Sequence, residues 1–91
     1  MSQEPYRLQI AALATRALAE RLPPNVASAV HAFITGPLLV APRRVGKPLE
    51  PPLAPVWSAR RGAYRVVYLI DDRDRLVTVT AVRHRSDAYR R

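Results

Sequence analysis

The 91-residue sequence contains no cysteine and only two histidines, His31 and His84. Without cysteine there are no disulfide bonds or thiolate metal sites, and two histidines are too few for an ordinary zinc site. No apolar run approaches the roughly 20 residues that a membrane-spanning helix needs. The first residues also lack the basic and apolar regions of a secretory signal. We therefore expect one cytoplasmic domain, residues 1–91, with no metal, no small-molecule cofactor and no membrane partner.

Lysine is nearly absent too, because Lys47 is the only lysine among 15 basic residues and all the others are arginine. Set against 7 acidic residues, they give a net charge of +8. Arginine presents a planar fork of N–H donors that matches phosphate oxygens. This charge indicates a polyanionic partner, with nucleic acid the leading candidate. A GC-rich genome would produce the same composition, so charge alone leaves both interpretations open.

The N-terminal part predicts one strand and two helices. Residues 6–10 alternate apolar and polar side chains, as a half-buried strand does. Residues 13–22 are good helix formers, and the two prolines that follow end this helix. The second helix begins at Pro24, and its apolar positions fall on one face. That face consists of Val26, Val30, Phe33 and Ile34.

Residues 41–55 contain five prolines and one glycine. No helix or central strand tolerates this density of proline, so we expect a long ordered loop. Loops of this length in small domains are usually functional. The loop carries Arg43, Arg44 and Lys47 and is therefore a candidate binding surface.

The C-terminal part predicts three strands. Residues 56–60 and 63–70 flank a two-residue hairpin turn at Arg61-Gly62, and residues 76–82 form the last strand. Aspartate is common in turns, so we interpret the carboxylates between the last two strands as turn residues rather than a metal site. The order β-α-α-β-β-β predicts an α+β domain, with a mainly antiparallel sheet and two helices packed on one face.

Arginine and tyrosine concentrate near the C-terminal end. Arg65 interrupts an apolar strand, so its guanidinium either reaches the sheet edge or lines a concave surface. A helical turn at the tail would place Arg85 and Tyr89, which are four residues apart, on one face. An even-length turn at residues 72–75 pairs Arg65 with Val82. A longer turn or a bulge would instead bring Arg65 and Arg83 to the same face.

Three stretches of this sequence are similar to the RelE/ParE toxins of type II toxin–antitoxin modules. They are GKPL at residues 46–49, RRGAYRVVY at residues 60–68 and RHRSDAY at residues 83–89. The first resembles the RelE branch in particular. The resemblance implies a RelE-like fold and a metal-independent mRNA endoribonuclease that cleaves the codon in the ribosomal A site. It also implies inhibition by a RelB-like antitoxin.

Matched position by position, the resemblance places catalytic arginines at Arg65 and Arg83, a catalytic tyrosine at Tyr89 and a further basic position at Arg85. The two lysines that the best-studied members of the family carry on the strand before the hairpin are replaced here by Val56 and Ser58.

Because arginine stays protonated, we expect Arg65 and Arg83 to stabilise the pentavalent phosphate rather than to move protons. For proton transfer we favour Tyr89, then His84, then Lys47. We expect RNA or ribosome contacts from six further side chains, which are Arg43, Arg44, Lys47, Arg60, Arg61 and Arg85.

Two other functions stay open. A ParE-like inhibitor of DNA gyrase would share the fold, and a non-catalytic RNA- or DNA-binding domain would explain the missing lysines. An antitoxin segment could dock in a groove beside the strands or on the apolar face of the second helix. Such a partner should be acidic to complement the charge of +8.

Overall fold

The computed structural model describes residues 4–84, in which one sheet and three helices form. The elements, in chain order, are β1 (Arg7–Ile10), α1 (Ala12–Glu20), α2 (Pro24–Ile34), α3 (Pro37–Val40), β2 (Lys47–Pro48), β3 (Trp57–Arg61), β4 (Tyr64–Asp71) and β5 (Leu76–His84). The sheet order is β1-β5-β4-β3-β2. Among the described residues only the β1–β5 pair is parallel, while the other three pairs are antiparallel. The predicted α+β class and the mainly antiparallel sheet are confirmed.

The two predicted helices are present, and α2 buries the predicted apolar face. Val30 and Ile34 are completely buried, Phe33 is almost so, and Val26 packs against them at the margin of the core. Pro24 occupies the first turn of α2, where a missing N–H costs nothing. Because this face is already in the core, the expectation that an antitoxin docks on it is wrong. No helix within residues 4–84 has the length and apolar character needed to span a membrane.

Alternate strand residues define two faces of the sheet. One face is covered by the helices, and its buried side chains include Ala59, Val66, Tyr68, Val77, Val79 and Val82. The intervening residues form the opposite face, which we call the open face. Its side chains on β3, β4 and β5 are half-buried or exposed in the described part of the chain.

The proline-rich segment contains one short strand that the sequence did not predict. Lys47 and Pro48 form β2 and pair with Ser58 and Trp57 of β3. As an edge strand, β2 tolerates Pro48, since an edge residue can do without its N–H group. The segment is therefore partly an extension of the sheet rather than only a loop.

The β3–β4 turn lies one residue later than predicted. Arg61 pairs with Tyr64, so Gly62 and Ala63 form the turn, and Gly62 has a φ of +60°. Glycine at the first turn position supplies the positive φ that a two-residue hairpin needs there. This register also pairs Ala59 with Val66 inside the core. The predicted turn at Arg61-Gly62 is wrong. That turn would have placed Ser58 opposite Arg65, whereas Ser58 pairs with Val67.

Candidate active site on the open face

A β-bulge places Arg65 and Arg83 on the same face. The turn at residues 72–75 has an even length, since Asp71 pairs with Leu76. The pairing shifts by one residue between Val67 and Tyr68, which leaves Thr80 as the extra residue on β5. Beyond this bulge Arg65 pairs with Arg83 instead of Val82. One extra residue exchanges the two faces of the strand beyond it, so both arginines lie on the open face.

The hydroxyl of Thr80 supports the bulge. Its Oγ1 donates a hydrogen bond to the Val67 carbonyl oxygen at 3.3 Å. On either side of Thr80, Val79 and Val82 are both buried in the core. Without the extra residue, only one of these valines could face the helices. Burial of both therefore fixes the register that aligns the arginines.

A third arginine extends the pair into a row. Arg60 on β3 pairs with Arg65 on β4, which in turn pairs with Arg83 on β5. We call these three residues the arginine row. Directly paired residues have Cβ atoms about 4.5–5.5 Å apart, a spacing at which like charges destabilise a sheet. Within residues 4–84 none of the three guanidinium groups has a carboxylate partner, so the row suits a phosphate.

A groove of about 500 Å³ lies beside the arginine row. Its described lining consists of Arg44, Val45, Gly46, Lys47, Leu49, Ser58, Ala59, Arg60 and Arg65. Four of these side chains are cationic, which makes the groove strongly attractive to a polyanion. Arg44, Lys47 and Arg60, three of the predicted RNA contacts, are therefore brought together with Arg65.

Gly46 fixes the position of Lys47 within this groove. A Cβ added at Gly46 would collide with the Tyr68 hydroxyl oxygen and would lie 2.8 Å from the Ser58 carbonyl oxygen. The chain can approach β3 and β4 this closely only because residue 46 lacks a side chain. Tyr68 is itself fixed, since its hydroxyl donates a hydrogen bond to the Pro42 carbonyl oxygen at 2.6 Å. Burial raises the pKa of Tyr68 to about 12, so this hydroxyl keeps its proton.

Arg43 has a structural partner instead of facing the groove. It donates two hydrogen bonds to the Asp72 carboxylate, one of them 2.8 Å long, and its guanidinium lies 5.9 Å from the ring centre of Trp57. Tyr6 donates a further hydrogen bond to Asp72. These bonds, from Arg43 first and then Tyr6, lower the pKa of Asp72 to about 2. Arg43 therefore links the loop to the β4–β5 turn, and the structure does not place it with the arginine row.

The Asp71 carboxylate of this turn also has a local role. Asp71 Oδ1 accepts a hydrogen bond from the backbone N–H of Asp74 at 3.1 Å. This is the contact by which aspartate commonly stabilises a turn. No group of three potential metal ligands occurs within residues 4–84.

Two predicted site residues lie on the helix-covered side. His84 pairs with Tyr64 in register, and their rings meet edge to face with centres 5.0 Å apart. The guanidinium of Arg61 lies 3.7 Å from the ring centre of Phe33. Strand alternation thus separates His84 from Arg83 and Arg61 from Arg60, although each pair is adjacent in sequence.

Arg85 and Tyr89 lie outside the described residues. Ser58 lies on the open face across from Lys47, whereas Val56 precedes β3 and its carbonyl accepts a hydrogen bond from the Leu49 N–H at 2.8 Å. Sequence reasoning missed that Arg60 belongs to the arginine row, because that inference needs the correct hairpin register.

The chain is similar to known toxins over most of its length. Residues 9–89 match the family model described as ParE toxin of type II toxin-antitoxin system, parDE. The chain is 47% identical over 87 residues to Toxin RelG of Mycobacterium tuberculosis, which covers 96% of this chain and 99% of that toxin. It is 49% identical over 86 residues to Toxin RelE of the same organism, which covers 94% of this chain and 88% of that toxin.

A solved structure agrees with this similarity. The crystal structure of the toxin–antitoxin complex RelBE2 from Mycobacterium tuberculosis contains a chain that is 44% identical, with a TM-score of 0.85. The match covers 89% of this chain and 99% of that chain.

Proposed function

The chain belongs to the RelE/ParE superfamily of type II toxin–antitoxin toxins, on its RelE branch, and on this basis we propose that it is a ribosome-dependent mRNA endoribonuclease. The observation that carries the proposal is the arginine row on the open face, beside a cationic groove of about 500 Å³. A row of guanidinium groups without carboxylate partners among residues 4–84 costs stability, and phosphate binding would explain why the fold keeps it. Ribosome dependence would place the activity in the cytoplasm.

The reaction is attack of an RNA 2′-OH on the adjacent phosphate. A bond forms between the 2′-oxygen and phosphorus while the bond from phosphorus to the 5′-oxygen breaks. The products are a 2′,3′-cyclic phosphate and a free 5′-OH. Arg65 and Arg83 stabilise the extra negative charge on the pentavalent phosphate, since fixed donors aimed at developing charge lower the barrier most.

The other basic residues divide between RNA binding and structure. Arg60, Arg44 and Lys47 line the groove and contact the RNA backbone, which requires charge more than exact geometry. Arg43 and Arg61 have partners elsewhere and serve the fold instead. Tyr89 remains our sequence-based candidate for proton transfer. His84 is omitted from the mechanism because it lies on the helix-covered face.

The partner that silences this toxin is a RelB-like antitoxin. The similar chain from Mycobacterium tuberculosis comes from a toxin–antitoxin complex. The net charge of +8 and the cationic groove favour an acidic antitoxin segment bound over the open face. Such a segment would cover the arginine row and thereby block access of mRNA.

Primer extension on an mRNA translated in a purified bacterial system tests the proposed function. The wild-type protein should produce cuts within A-site codons that require ribosomes and disappear in Arg65→Ala. Arg16→Ala removes an equal charge from the exposed surface of α1 and should leave the cuts unchanged.

Three results would contradict the endoribonuclease proposal or support another function. Intact mRNA in the presence of folded protein would overturn the endoribonuclease proposal. DNA breaks that depend on gyrase would support the ParE-like alternative. Retention of RNA without any cut would support a non-catalytic binding domain.

A further inference from the structure

The groove contains one side chain that differs chemically from its cationic neighbours. Arg44, Arg60 and Arg65 line it as fixed charges, since arginine does not serve as a proton donor in proteins. Lys47 carries an ammonium group, and lysine can lose and regain a proton during catalysis. We propose that Lys47 donates the proton that the 5′-oxygen needs when it leaves the phosphate. This inference rests on the proposed function and adds a catalytic residue to it.

The strand register supports this role. Lys47 pairs with Ser58, so it lies on the open face, one row along from the pairing of Arg60 with Arg65. Adjacent rows on one face of a sheet are about 7 Å apart, because each strand residue advances about 3.4 Å. Lys47 also lies two strands away from Arg65, which adds about 9.5 Å across the sheet. Both long side chains line the same groove, so a phosphate bound to Arg65 there can lie within reach of the Lys47 ammonium.

The backbone around Lys47 is anchored, as a catalytic group requires. Gly46 contacts the Tyr68 hydroxyl and the Ser58 carbonyl so closely that no Cβ fits there. On the other side, the Leu49 N–H donates a hydrogen bond to the Val56 carbonyl oxygen at 2.8 Å. Contacts on both sides of Lys47 therefore fix the backbone of β2, an edge strand of only two residues. Its exposed side chain stays accessible to the RNA.

The proton balance of the step is complete. The 2′-OH loses its proton to the general base, which releases it to water, as the 2′-oxygen bonds to phosphorus. The electron pair of the breaking bond moves to the 5′-oxygen, which takes a proton from the Lys47 ammonium and leaves as a 5′-OH. The neutral amine of Lys47 then regains a proton from water. The reaction needs no co-reactant beyond water.

The absence of cysteine and of any other lysine permits a clean test. Single-turnover cleavage on programmed ribosomes is compared for wild type, Lys47→Ala, Lys47→Arg and Lys47→Cys, with Arg16→Ala as a folded charge control. Both Lys47→Ala and Lys47→Arg should cleave at least about 100-fold more slowly, the usual scale of a lost general acid. Alkylation of the single thiol of Lys47→Cys with 2-bromoethylamine rebuilds an amine and should restore most of the rate.

A modified substrate identifies which proton Lys47 supplies. A synthetic mRNA with sulfur in place of the scissile 5′-oxygen has a leaving group that needs no proton. On this mRNA, Lys47→Ala should cleave within about threefold of wild type, since the lost acid is no longer required. A residue that only binds RNA or shapes the groove would slow cleavage of both substrates equally.

The outcomes separate this inference from the proposed function. Near-wild-type cleavage by Lys47→Arg would show that charge suffices and would overturn the proton-donor role. Equal slowing of Lys47→Ala on the oxygen and sulfur substrates would also overturn it. If the wild-type protein cleaves neither mRNA, the proposed function fails and the inference with it. If the wild type and Lys47→Ala cleave equally fast, only the inference fails.

Discussion

Arg65 of β4 lies directly across from Arg83 of β5, and a single extra residue at Thr80 produces this pairing. Two guanidinium groups in directly opposed positions repel each other, so their pairing opposes stability. A bound phosphate would remove that repulsion by accepting hydrogen bonds from both groups. The bulge is therefore the structural feature that converts a basic surface into a candidate catalytic site.

Arg65 and Arg83 should act as one unit on the scissile phosphate. Each alanine substitution should slow single-turnover cleavage about 100-fold to 1,000-fold, as loss of a transition-state donor does. The double substitution should cost less than the product of the two single effects, because either loss disrupts the same phosphate site. Multiplicative effects would show that the two arginines act at separate places.

Arg60 and Arg61 form a matched pair, since they are adjacent and equal in charge but lie on opposite faces. Arg60→Ala should reduce the salt dependence of binding to single-stranded RNA. The slope of log K against log salt concentration should fall in magnitude by about 0.7 for each phosphate that the variant no longer neutralises. Arg61→Ala should leave that slope unchanged but lower the free energy of unfolding by about 0.5–1 kcal/mol, because it removes the interaction with the Phe33 ring. RNA titrations at several salt concentrations measure the first effect, and urea unfolding measures the second. Equal salt-dependence slopes for the two variants would contradict the placement of Arg60 and Arg61 on opposite faces.

Gly46→Ala should destabilise the protein by about 1–3 kcal/mol, because the new Cβ collides with the Tyr68 hydroxyl. Tyr68→Phe should cost about 1 kcal/mol on its own, because the hydrogen bond to the Pro42 carbonyl is removed. Since Tyr68→Phe also removes the atom closest to the new Cβ, Gly46→Ala should cost less in that background. Urea unfolding of the four proteins measures this coupling, and strictly additive effects would show that Gly46 and Tyr68 do not constrain each other.

The hydrogen bonds of Asp72 should make stability depend on pH in the acid range. Its carboxyl has a pKa lowered from 3.8 to about 2 by hydrogen bonds from Arg43 and Tyr6. The stabilisation is thus fully present above about pH 4 and is lost as the pH falls towards 2. The urea midpoint of wild type should exceed that of Asp72→Asn at pH 5, and the difference should shrink on acidification.

Arg43→Ala provides the control for this pH dependence. In that background the main partner of Asp72 is gone, so Asp72→Asn should change the urea midpoint less at pH 5. A difference between wild type and Asp72→Asn that stays constant from pH 5 to pH 2 would contradict the assignment.

The sequence was sufficient for the order of the six main elements, β1, α1, α2, β3, β4 and β5, and for the buried face of α2, but not for the short elements α3 and β2. Helix periodicity and the two prolines after α1 are local signals, and they predicted Val30, Phe33 and Ile34 in the core. The turn role of Asp71 was also predictable, since an aspartate side chain in a turn commonly accepts a hydrogen bond from a nearby backbone N–H, here that of Asp74. These features depend on neighbours that are close in sequence.

The geometry of the site depends on pairings that local patterns do not encode. The alternation of apolar and polar residues in the last strand does not reveal which residue is unpaired. The bulge at Thr80 and the pairing of Arg65 with Arg83 therefore could not be predicted from the sequence. Placing the hairpin turn one residue early moved Arg60 out of register with Arg65. The pairing of Lys47 with Ser58 joins residues across the proline-rich segment, where no periodic signal exists.

The chemistry of the RNA ends is the sharpest test of the proposed cleavage. An mRNA on programmed ribosomes is treated with wild-type protein, and both fragments are recovered. We predict a 2′,3′-cyclic phosphate on the upstream fragment and a 5′-OH that polynucleotide kinase labels without prior phosphatase treatment, with neither fragment formed by Arg65→Ala. Intact mRNA, or a downstream fragment that carries a 5′-phosphate, would contradict cleavage by the RNA's own 2′-OH on the arginine row.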